Sequence, residues 1–162
     1  MRRPAAPWGG AAAALLLAGC GFHLEGSTPL PAVVKTPYLE APDPQSDFVQ
    51  YLRHDLLSNG AQLMYEKTHA SAVVSILSDR VVRRAVSVST VNRVNQYEVT
   101  YRIAFTVTSQ GKELLPPQEL TATRAYSFDE TLLLAKGHEE DILRQDMARN
   151  LAEEVMRRLS SL

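Results

Sequence analysis

The residue with the clearest capacity for covalent chemistry is Cys20, the only cysteine among 162 residues. It follows the small pair Ala18-Gly19, and this pair follows an apolar run, 11–17, behind a short basic start. A basic start, an apolar run and small residues before a cleavage point form the pattern of a secretory signal peptide. The run is far shorter than the roughly 20 apolar residues of a membrane-spanning helix. We therefore predict that residues 1–19 are a signal peptide removed by cleavage before Cys20.

The four residues Leu17-Ala18-Gly19-Cys20 resemble the lipobox of bacterial lipoproteins. In a lipobox the cysteine sulfur is joined to diacylglycerol, and an N-acyl chain such as palmitate is then expected on the new N-terminus. Each buried acyl methylene contributes about 0.8 kcal/mol, so these chains would hold Cys20 permanently at a membrane. The alternative is that Cys20 is a small buried hydrophobic residue. Gly21, in place of aspartate, resembles the signal that sends a lipoprotein to the outer membrane.

Composition favours one compact domain without disulfides. Removing 19 residues from 162 leaves 143, which suits a single domain. The 17 Lys and Arg residues balance 18 Asp and Glu residues, so no general positive charge favours nucleic acid as a partner. A lipidated Cys20 leaves no thiol for a disulfide or a thiolate metal site.

The polar residues form no recognisable catalytic or metal-binding set. The histidines are far apart and none has HExxH spacing; they are His23, His54, His69 and His138. The chain contains no nucleophile elbow, phosphate loop or dinucleotide turn. Adjacent Glu139 and Glu140 are more simply explained as acids at a helix N-terminus than as an acid/base pair. The sequence therefore predicts no enzyme, no metal site and no cofactor besides the lipid at Cys20.

Local positive charge is the remaining candidate for function. Three arginines, Arg80, Arg83 and Arg84, lie in one expected strand, Arg93 lies in the hairpin that follows, and Lys136 lies farther on. Solvated surface cations are the simple explanation for each. A guanidinium fork can also bind phosphate through two hydrogen bonds, and a hairpin tip beside a loop could converge on one such ligand.

The chain has an apolar pattern that predicts the element order β-α-β-β-β-α. A short edge strand around Pro37 precedes a helix over about 44–58 that begins at the Asp43-Pro44 cap. A long, bent strand follows Ala72, interrupted by charged pairs that suggest a bulge. Strict alternation over 97–107 gives one buried and one solvated face.

The remaining elements complete two layers. A turn at 110–112 leads to Pro116-Pro117, which we expect to delay a strand over about 120–126. A loop over 129–137 then precedes a helix over about 138–159 with an apolar i, i+4 stripe. The predicted fold is an α+β two-layer sandwich, with two helices packed on one face of a mainly antiparallel four-stranded sheet. The expected domain covers 33–162, after a lipidated tether over 20–32.

Three segments agree in order and spacing with a known family; they are Cys20-Gly21-Phe22-His23-Leu24, Gln96-Tyr97-Glu98-Val99 and Ala135-Lys136-Gly137-His138-Glu139-Glu140-Asp141-Ile142. Together they resemble the LPS-assembly lipoprotein family LptE, also called RlpB. The resemblance covers essentially the whole chain after the signal peptide. It implies a lipid-anchored protein of the Gram-negative outer membrane, facing the periplasm. Such a protein plugs the lumen of the LptD β-barrel and assists the transport of lipopolysaccharide (LPS) to the cell surface.

The resemblance also implies an LPS-binding site. Lys136 matches a lysine that the family links to LPS binding. Arg93 is the candidate for the second basic position, although the family's arginine is expected nearer the hairpin tip, where this chain has Thr90. We expect Lys136 in a loop without an acidic partner at i+4 on a helix, so that it is open to ligand. Its competing role is as a solvated cation near Glu139 and Glu140.

Two other functions compete with the barrel partnership. A membrane-anchored periplasmic carrier of lipid or lipoprotein would need a closed apolar cavity, and two helices over one small sheet leave little volume for one. A periplasmic hydrolase would need a nucleophile and a base, and the sequence offers no such pair. A stoichiometric barrel partner after membrane extraction would support the first function alone.

Overall fold

The elements follow the predicted order. A computed structural model describes residues 30–88, 94–127 and 133–162, with only the backbone described at 88, 94–95 and 133–138. Cys20 and Arg93 lie outside the described residues. The described elements are β1 (Pro37–Glu40), α1 (Asp47–Ser58), β2 (Ala72–Val88), β3 (Val94–Ser109), β4 (Lys112–Ser127) and α2 (Leu133–Ser160), with short 3-10 helices at Ala32–Val34 and Lys67–His69. The predicted α+β class and element order are confirmed.

The sheet is mixed, because its first two strands are parallel. The strand order is β1-β2-β3-β4, with β1 parallel to β2 and the other neighbours antiparallel. Helix α1 lies between β1 and β2 in sequence and carries the chain back to the start of β2, as a parallel connection requires. The mainly antiparallel sheet was predicted correctly, whereas the parallel pairing of β1 with β2 was not predicted.

The alternation in β3 places one face of the sheet in the core. Val99, Tyr101, Ile103, Phe105 and Val107 are each at most 3% exposed. They share the core with residues of both helices, which cover this face. The opposite face, which we call the helix-free face, carries the intervening residues of β3. The predicted division of this strand into a buried and a solvated face is confirmed.

Strand β2 bends at a bulge, as its interrupted pattern predicted. Ile76 pairs with Phe105 and Ser78 with Ala104, so Leu77 is the extra residue. Beyond this bulge β2 continues to Val88, and residues 80–86 are all exposed. Long parts of β2 and β3 therefore extend beyond the part of the sheet that the short β1 covers.

Strand β4 begins earlier than predicted and runs through two prolines. It starts at Lys112, and Pro116-Pro117 lie inside it. The register passes from Phe105↔Gln118 to Val107↔Leu115, so both prolines bulge opposite Thr106. The Thr106 hydroxyl donates to the Leu115 carbonyl over 2.8 Å. The expected delay of the strand was wrong because an edge strand tolerates proline at a bulge.

Helix α1 begins three residues later than predicted. Its N-cap is Ser46, whose Oγ accepts a hydrogen bond from the Val49 amide over 3.3 Å. Asp43 instead closes a turn before the helix, accepting from the Gln45 amide over 2.9 Å. A serine is among the residues preferred at an N-cap, and Phe48, the second residue of the helix, is fully buried in the core.

The N-terminal part of the domain differs from the expected tether and strand. Residues 32–34 form a 3-10 helix, and β1 contains only four residues from Pro37. Leu30 lies within the stretch that we expected to be a tether, yet its side chain is 6% exposed and packs in the core. Pro37 does stand at the start of an edge strand, as its missing amide hydrogen required.

Helix α2 is longer at its start than predicted. It begins at Leu133, so Lys136 is in the helix and the expected loop over 129–137 was wrong in this part. Gly137 lies inside this helix, where a glycine costs only about 1 kcal/mol. Tertiary contacts of the next turn, described below, hold this part of the helix against the sheet. Lys136 therefore has an acidic residue, Glu140, at i+4.

Candidate functional site

Four side chains from four different elements meet where β2 and β3 approach their connecting hairpin; they are Arg83 of β2, Tyr97 of β3, Tyr126 of β4 and Glu140 of α2. Sheet register brings the first three together. Tyr97 pairs directly with Tyr126, while Arg83 pairs with Val99, two residues along β3 on the same face. Because that face lies under the helices, all three side chains point toward α2. We call these four residues the hairpin-end cluster.

The carboxylate of Glu140 is the centre of the hairpin-end cluster. Its Oε2 accepts a hydrogen bond from Arg83 Nη1 over 2.8 Å and another from the Tyr126 hydroxyl over 2.6 Å. The rings of Tyr97 and Tyr126 are stacked with centroids 5.9 Å apart. The Arg83 guanidinium lies 4.7 Å from the centroid of the Tyr97 ring, within cation–π range. Three strands are thus joined to one turn of α2.

The protonation states of the hairpin-end cluster reinforce these contacts. Partial burial raises the pKa of Glu140, but the hydrogen bonds from Tyr126 and Arg83 outweigh it and leave that pKa below its usual value. Burial, followed by the bond to Glu140, raises the pKa of Tyr126. The bond to Glu140 also raises the pKa of Arg83. At neutral pH the cluster therefore contains a carboxylate, a guanidinium and a neutral phenol.

Of the two basic residues predicted from the sequence, Lys136 lies in α2 and Arg93 lies outside the described residues. Lys136 is four residues before Glu140 in α2, so the two are one turn, about 6 Å, apart along the helix and on one side of it. Arg93 belongs to the connection between β2 and β3, whose flanking residues Val88 and Val94 pair with each other. The structure therefore brings α2 and the ends of β2 and β3 that flank this connection to one end of the molecule.

Sequence reasoning missed the role of the hairpin-end cluster. Glu140 was explained as an acid at a helix N-terminus, but α2 begins seven residues earlier. Tyr97 and Tyr126 were assigned to the correct strand faces without a function. Their alternation could have shown that both rings point toward the helices, but cross-strand register was needed to make them neighbours.

A second group of polar residues surrounds a cavity of about 380 Å³ near the start of α1; its lining residues are Pro42, Asp43, Gln45, Ser46, Asp47, Asp79, Val81, Tyr101 and Arg144. Ser46 Oγ donates to Asp79 Oδ2 over 2.6 Å, and Arg144 Nε donates to Asp47 Oδ2 over 3.3 Å. Burial, and then the neighbouring Asp79 carboxylate, raises the pKa of Tyr101 strongly. In the described part of the chain no three acidic, histidine or cysteine side chains are grouped to hold a metal ion.

Comparison with known proteins identifies the family. The sequence profile of LptE, described as lipopolysaccharide-assembly, matches residues 34–159. The chain belongs to the LptE family. This match contains all of the hairpin-end cluster and both predicted basic residues.

Relatives of similar length carry the same family name. The chain is 28% identical over 151 residues to the LPS-assembly lipoprotein LptE of Pectobacterium atrosepticum, covering 93% of this chain and 82% of that protein. It is 27% identical over 148 residues to the protein of the same name from Photorhabdus laumondii, covering 91% of this chain and 80% of that protein. The LptE likeness thus extends through nearly the whole sequence.

Solved structures share the LptE fold described above. An uncharacterized lipoprotein B from Nitrosomonas europaea matches with a TM-score of 0.73 and 27% identity, covering 87% of this chain and 91% of that one. A minor lipoprotein from Acinetobacter baumannii matches in fold with a TM-score of 0.67 and 24% identity, covering 81% and 94% respectively. Within the described ranges, no helix is both long and apolar enough to cross a membrane.

Proposed function

We propose that this LptE family member is a non-enzymatic, lipid-anchored outer-membrane subunit that plugs the LptD β-barrel and binds LPS during its delivery to the outer leaflet. The observation that carries the proposal is the hairpin-end cluster. It fixes the N-terminal turns of α2, which contain Lys136, against the strands that lead into the hairpin containing Arg93. Lys136 is thereby held at the end of the sheet from which the connection containing Arg93 leaves.

The proposed ligand chemistry is phosphate recognition. LPS carries phosphate groups, and Lys136 and Arg93 would bind them through charge-assisted hydrogen bonds of about 1.5 to 3 kcal/mol each. Glu140 would compete for Lys136 if it were free. Its Oε2 atom instead accepts bonds from Arg83 and Tyr126. These bonds reduce the attraction of Glu140 for Lys136 and so favour an exogenous anion.

The proposed membrane attachment depends on Cys20. Its diacylglycerol and N-acyl chains would hold the domain at the periplasmic side of the outer membrane, with the folded part inside the barrel lumen. The first described core residue, Leu30, is ten residues beyond Cys20. An extended chain of that length spans at most about 35 Å, so the anchor would keep the domain close to the membrane surface.

The 380 Å³ cavity does not favour the competing function of a lipid carrier. Its lining includes the charged residues Asp43, Asp47, Asp79 and Arg144. Acyl chains require apolar walls because burying charged groups against them costs desolvation energy without replacing the lost hydrogen bonds. A barrel plug with a surface binding site needs no such cavity.

Affinity purification of the full chain from detergent-extracted outer membranes tests the proposed function. We expect LptD in a 1:1 ratio with the chain, together with LPS that is released at high salt. Depletion of the chain should reduce the amount of assembled LptD. Recovery of the chain with lipid but without a barrel, or normal LptD assembly after depletion, would contradict the proposal.

A further inference from the structure

Strand β2 has an open outer edge along most of its length. Strand β1 pairs with it only at Ala72–Ser75, and β3 occupies its other side. In the part of the chain that the structure describes, no strand pairs with the outer side of residues 76–88. Four large apolar side chains of this stretch are 41–50% exposed; they are Leu77, Val81, Val82 and Val86.

The opposite edge of the sheet, β4, is protected against pairing with another chain, whereas the open edge of β2 is not. Strand β4 carries Pro116-Pro117 at its bulge and charged side chains at Lys112, Glu113 and Glu119. Prolines, bulges and charges are the usual means by which an edge strand avoids pairing with another chain. The open part of β2 contains no proline, and its exposed valines have high strand propensity. A free edge of this kind is a template for an added strand.

Charges beside this edge indicate what kind of strand fits. Arg80 of β2 pairs directly with Arg102 of β3 on the helix-free face, and both are exposed. Like charges directly opposite each other destabilise a sheet. Within the described residues neither guanidinium makes an ion pair. Glu119 of β4 lies on the same face, diagonally across from Arg102, but is not bonded to it. Farther along β2, Arg84 is paired with Glu98 over 3.0 Å. The helix-free side of the edge therefore has an excess of positive charge.

The other side of the same edge is next to the acidic cavity. Asp79 and Val81 alternate with Arg80, so they face the helix side, and both line the 380 Å³ cavity. Asp47 and Arg144 also line it and are bonded to each other. A strand added beside Val81 would direct alternate side chains toward the Arg80 side and toward this cavity.

We propose that the outer edge of β2, residues 77–87, binds an extended segment of the barrel protein, which adds to the sheet as a further strand and presents carboxylates beside Arg80 and Arg84. This inference rests on the proposed function, because the barrel protein is the partner. Backbone hydrogen bonds supply the binding, and carboxylates on the side of Arg80 and Arg84 supply the selectivity.

A second copy of the chain fits the edge less well. Symmetric antiparallel pairing of two β2 edges about Val82 places Arg80 of one copy opposite Arg84 of the other, on the same face. The pairing would add repulsion to a surface that already carries the Arg80–Arg102 pair. A segment with carboxylates at these positions removes the repulsion.

Two single charge reversals separate edge binding from other uses of the arginines. Arg80→Glu and Arg102→Glu each convert the same cross-strand pair from like to opposite charges, while Arg102→Glu also places a carboxylate near Glu119, so both variants should fold with about wild-type stability. Only position 80 lies on the edge strand. Each tagged variant is co-expressed in cells with untagged wild-type chain, and the fraction of barrel complexes that contain the tagged chain is measured. We expect this fraction to be about fivefold lower or more for Arg80→Glu than for a tagged wild-type chain. Arg102→Glu should lose less than about twofold.

Hydrogen exchange supplies the backbone readout. Amides of residues 77–87 should exchange at least about tenfold more slowly in the purified barrel complex than in the free domain, whereas amides of β4 near Pro116 should not change. If both charge reversals lower the variant's fraction of barrel complexes equally, a ligand such as a lipid phosphate is bound across the helix-free face, and the inference is overturned. Amide exchange at residues 77–87 that is unchanged in the barrel complex would also overturn the inference. Dimers that form with rising protein concentration and slow this exchange in the absence of the barrel would overturn it too. If wild-type chain recovers no barrel, the proposed function has failed instead.

Discussion

The Tyr126 hydroxyl on β4 donates to the Glu140 carboxylate on α2 over 2.6 Å, and this bond ties an edge strand to the helix that carries Lys136. Tyr126 itself is 8% exposed, so its hydroxyl has little access to water as an alternative partner. A buried donor that loses its acceptor costs more than the bond itself contributes. The bond therefore stabilises the arrangement of the hairpin end.

Removing this hydroxyl should loosen the start of α2. We expect Tyr126→Phe to lower the free energy of unfolding by about 1.5 kcal/mol, the low end for hydrogen bonds to charged groups, because Glu140 remains partly exposed. Amide exchange in the first turns of α2 should accelerate. Urea denaturation and exchange mass spectrometry measure the two effects. Tyr65→Phe is the matched control, since Tyr65 is 97% exposed, and it should change neither quantity.

The hairpin-end cluster should make stability depend on acid pH. The pKa of Glu140 lies below the ordinary glutamate value of 4.5 in the folded protein, so the unfolded chain binds its proton first. Its contribution is present above about pH 4.5 and is lost as the pH falls through the lowered pKa. Glu40 and Glu154 act in the same direction, whereas burial raises the pKa of Asp55 and opposes them.

Denaturation of wild type and Glu140→Gln at pH 7 and at pH 3 checks this dependence. The difference in unfolding free energy between the two proteins should be largest at pH 7 and should shrink toward pH 3. A difference that stays constant with pH would show that the charge of Glu140 does not stabilise the fold.

The face assignment of β3 predicts a contrast between adjacent residues. Phe105 is fully buried, so Phe105→Ala should cost about 3 to 5 kcal/mol through lost contacts and a cavity. Thr106 lies on the other face and bonds the Leu115 carbonyl, so Thr106→Ala should cost about 1 kcal/mol. Chemical denaturation of the domain that begins at Cys20 compares the two variants. Equal losses would contradict the burial of Phe105 and the faces assigned to β3.

Periodicity was sufficient to predict the sheet and its buried face, but it did not locate the element ends. The buried face of the strand around Phe105 can be predicted because buried positions are occupied by apolar residues, whose alternation is visible in the sequence. The start of α2 depends on contacts between Glu140 and residues of two strands, which no local pattern contains. The prediction of a loop at Lys136 was wrong for this reason. The same contacts of Glu140 place the turn of α2 that contains Lys136 near the hairpin end.

The open edge of β2 was also beyond sequence reasoning. The pattern of β2 predicted a long strand and a bulge, but the length of its unpaired side depends on β1. Strand β1 is only four residues long, and the segment Ala32–Val34 before it is a 3-10 helix. Propensity alone favoured an extended conformation for that segment. Likewise, the Arg80–Arg102 pair appears only when two strands are placed in register.

Processing at Cys20 gives a direct chemical prediction. Because the thioether can form only on sulfur, Cys20→Ser should accumulate as an unprocessed precursor without acyl chains. Mass spectrometry of the intact chain measures both cleavage and lipid addition. A mature wild-type N-terminus without acyl chains would contradict the lipobox assignment and, with it, the outer-membrane location.

Charge reversal at Lys136 tests the proposed LPS site. We expect Lys136→Asp to weaken LPS binding by about tenfold or more, on the order of 1.4 kcal/mol, because it replaces an attraction to phosphate by a repulsion. Glu140 should remain bonded to Arg83 and Tyr126 in this variant, so the melting temperature and recovery of the barrel should change little. Binding of purified LPS by the lipid-free domain, measured at two salt concentrations, gives the affinity and its electrostatic part.

The matched control for Lys136 is Lys112→Asp. Lys112 is an exposed lysine at the opposite end of the sheet, where it pairs with Ser109, so its reversal changes the net charge equally without touching the hairpin end. Lys112→Asp should retain wild-type LPS affinity. If both reversals weaken binding equally, LPS responds to net charge and not to a site. If Lys136→Asp binds normally, or loses binding only when it also unfolds, Lys136 is a surface cation and the LPS phosphates are bound elsewhere.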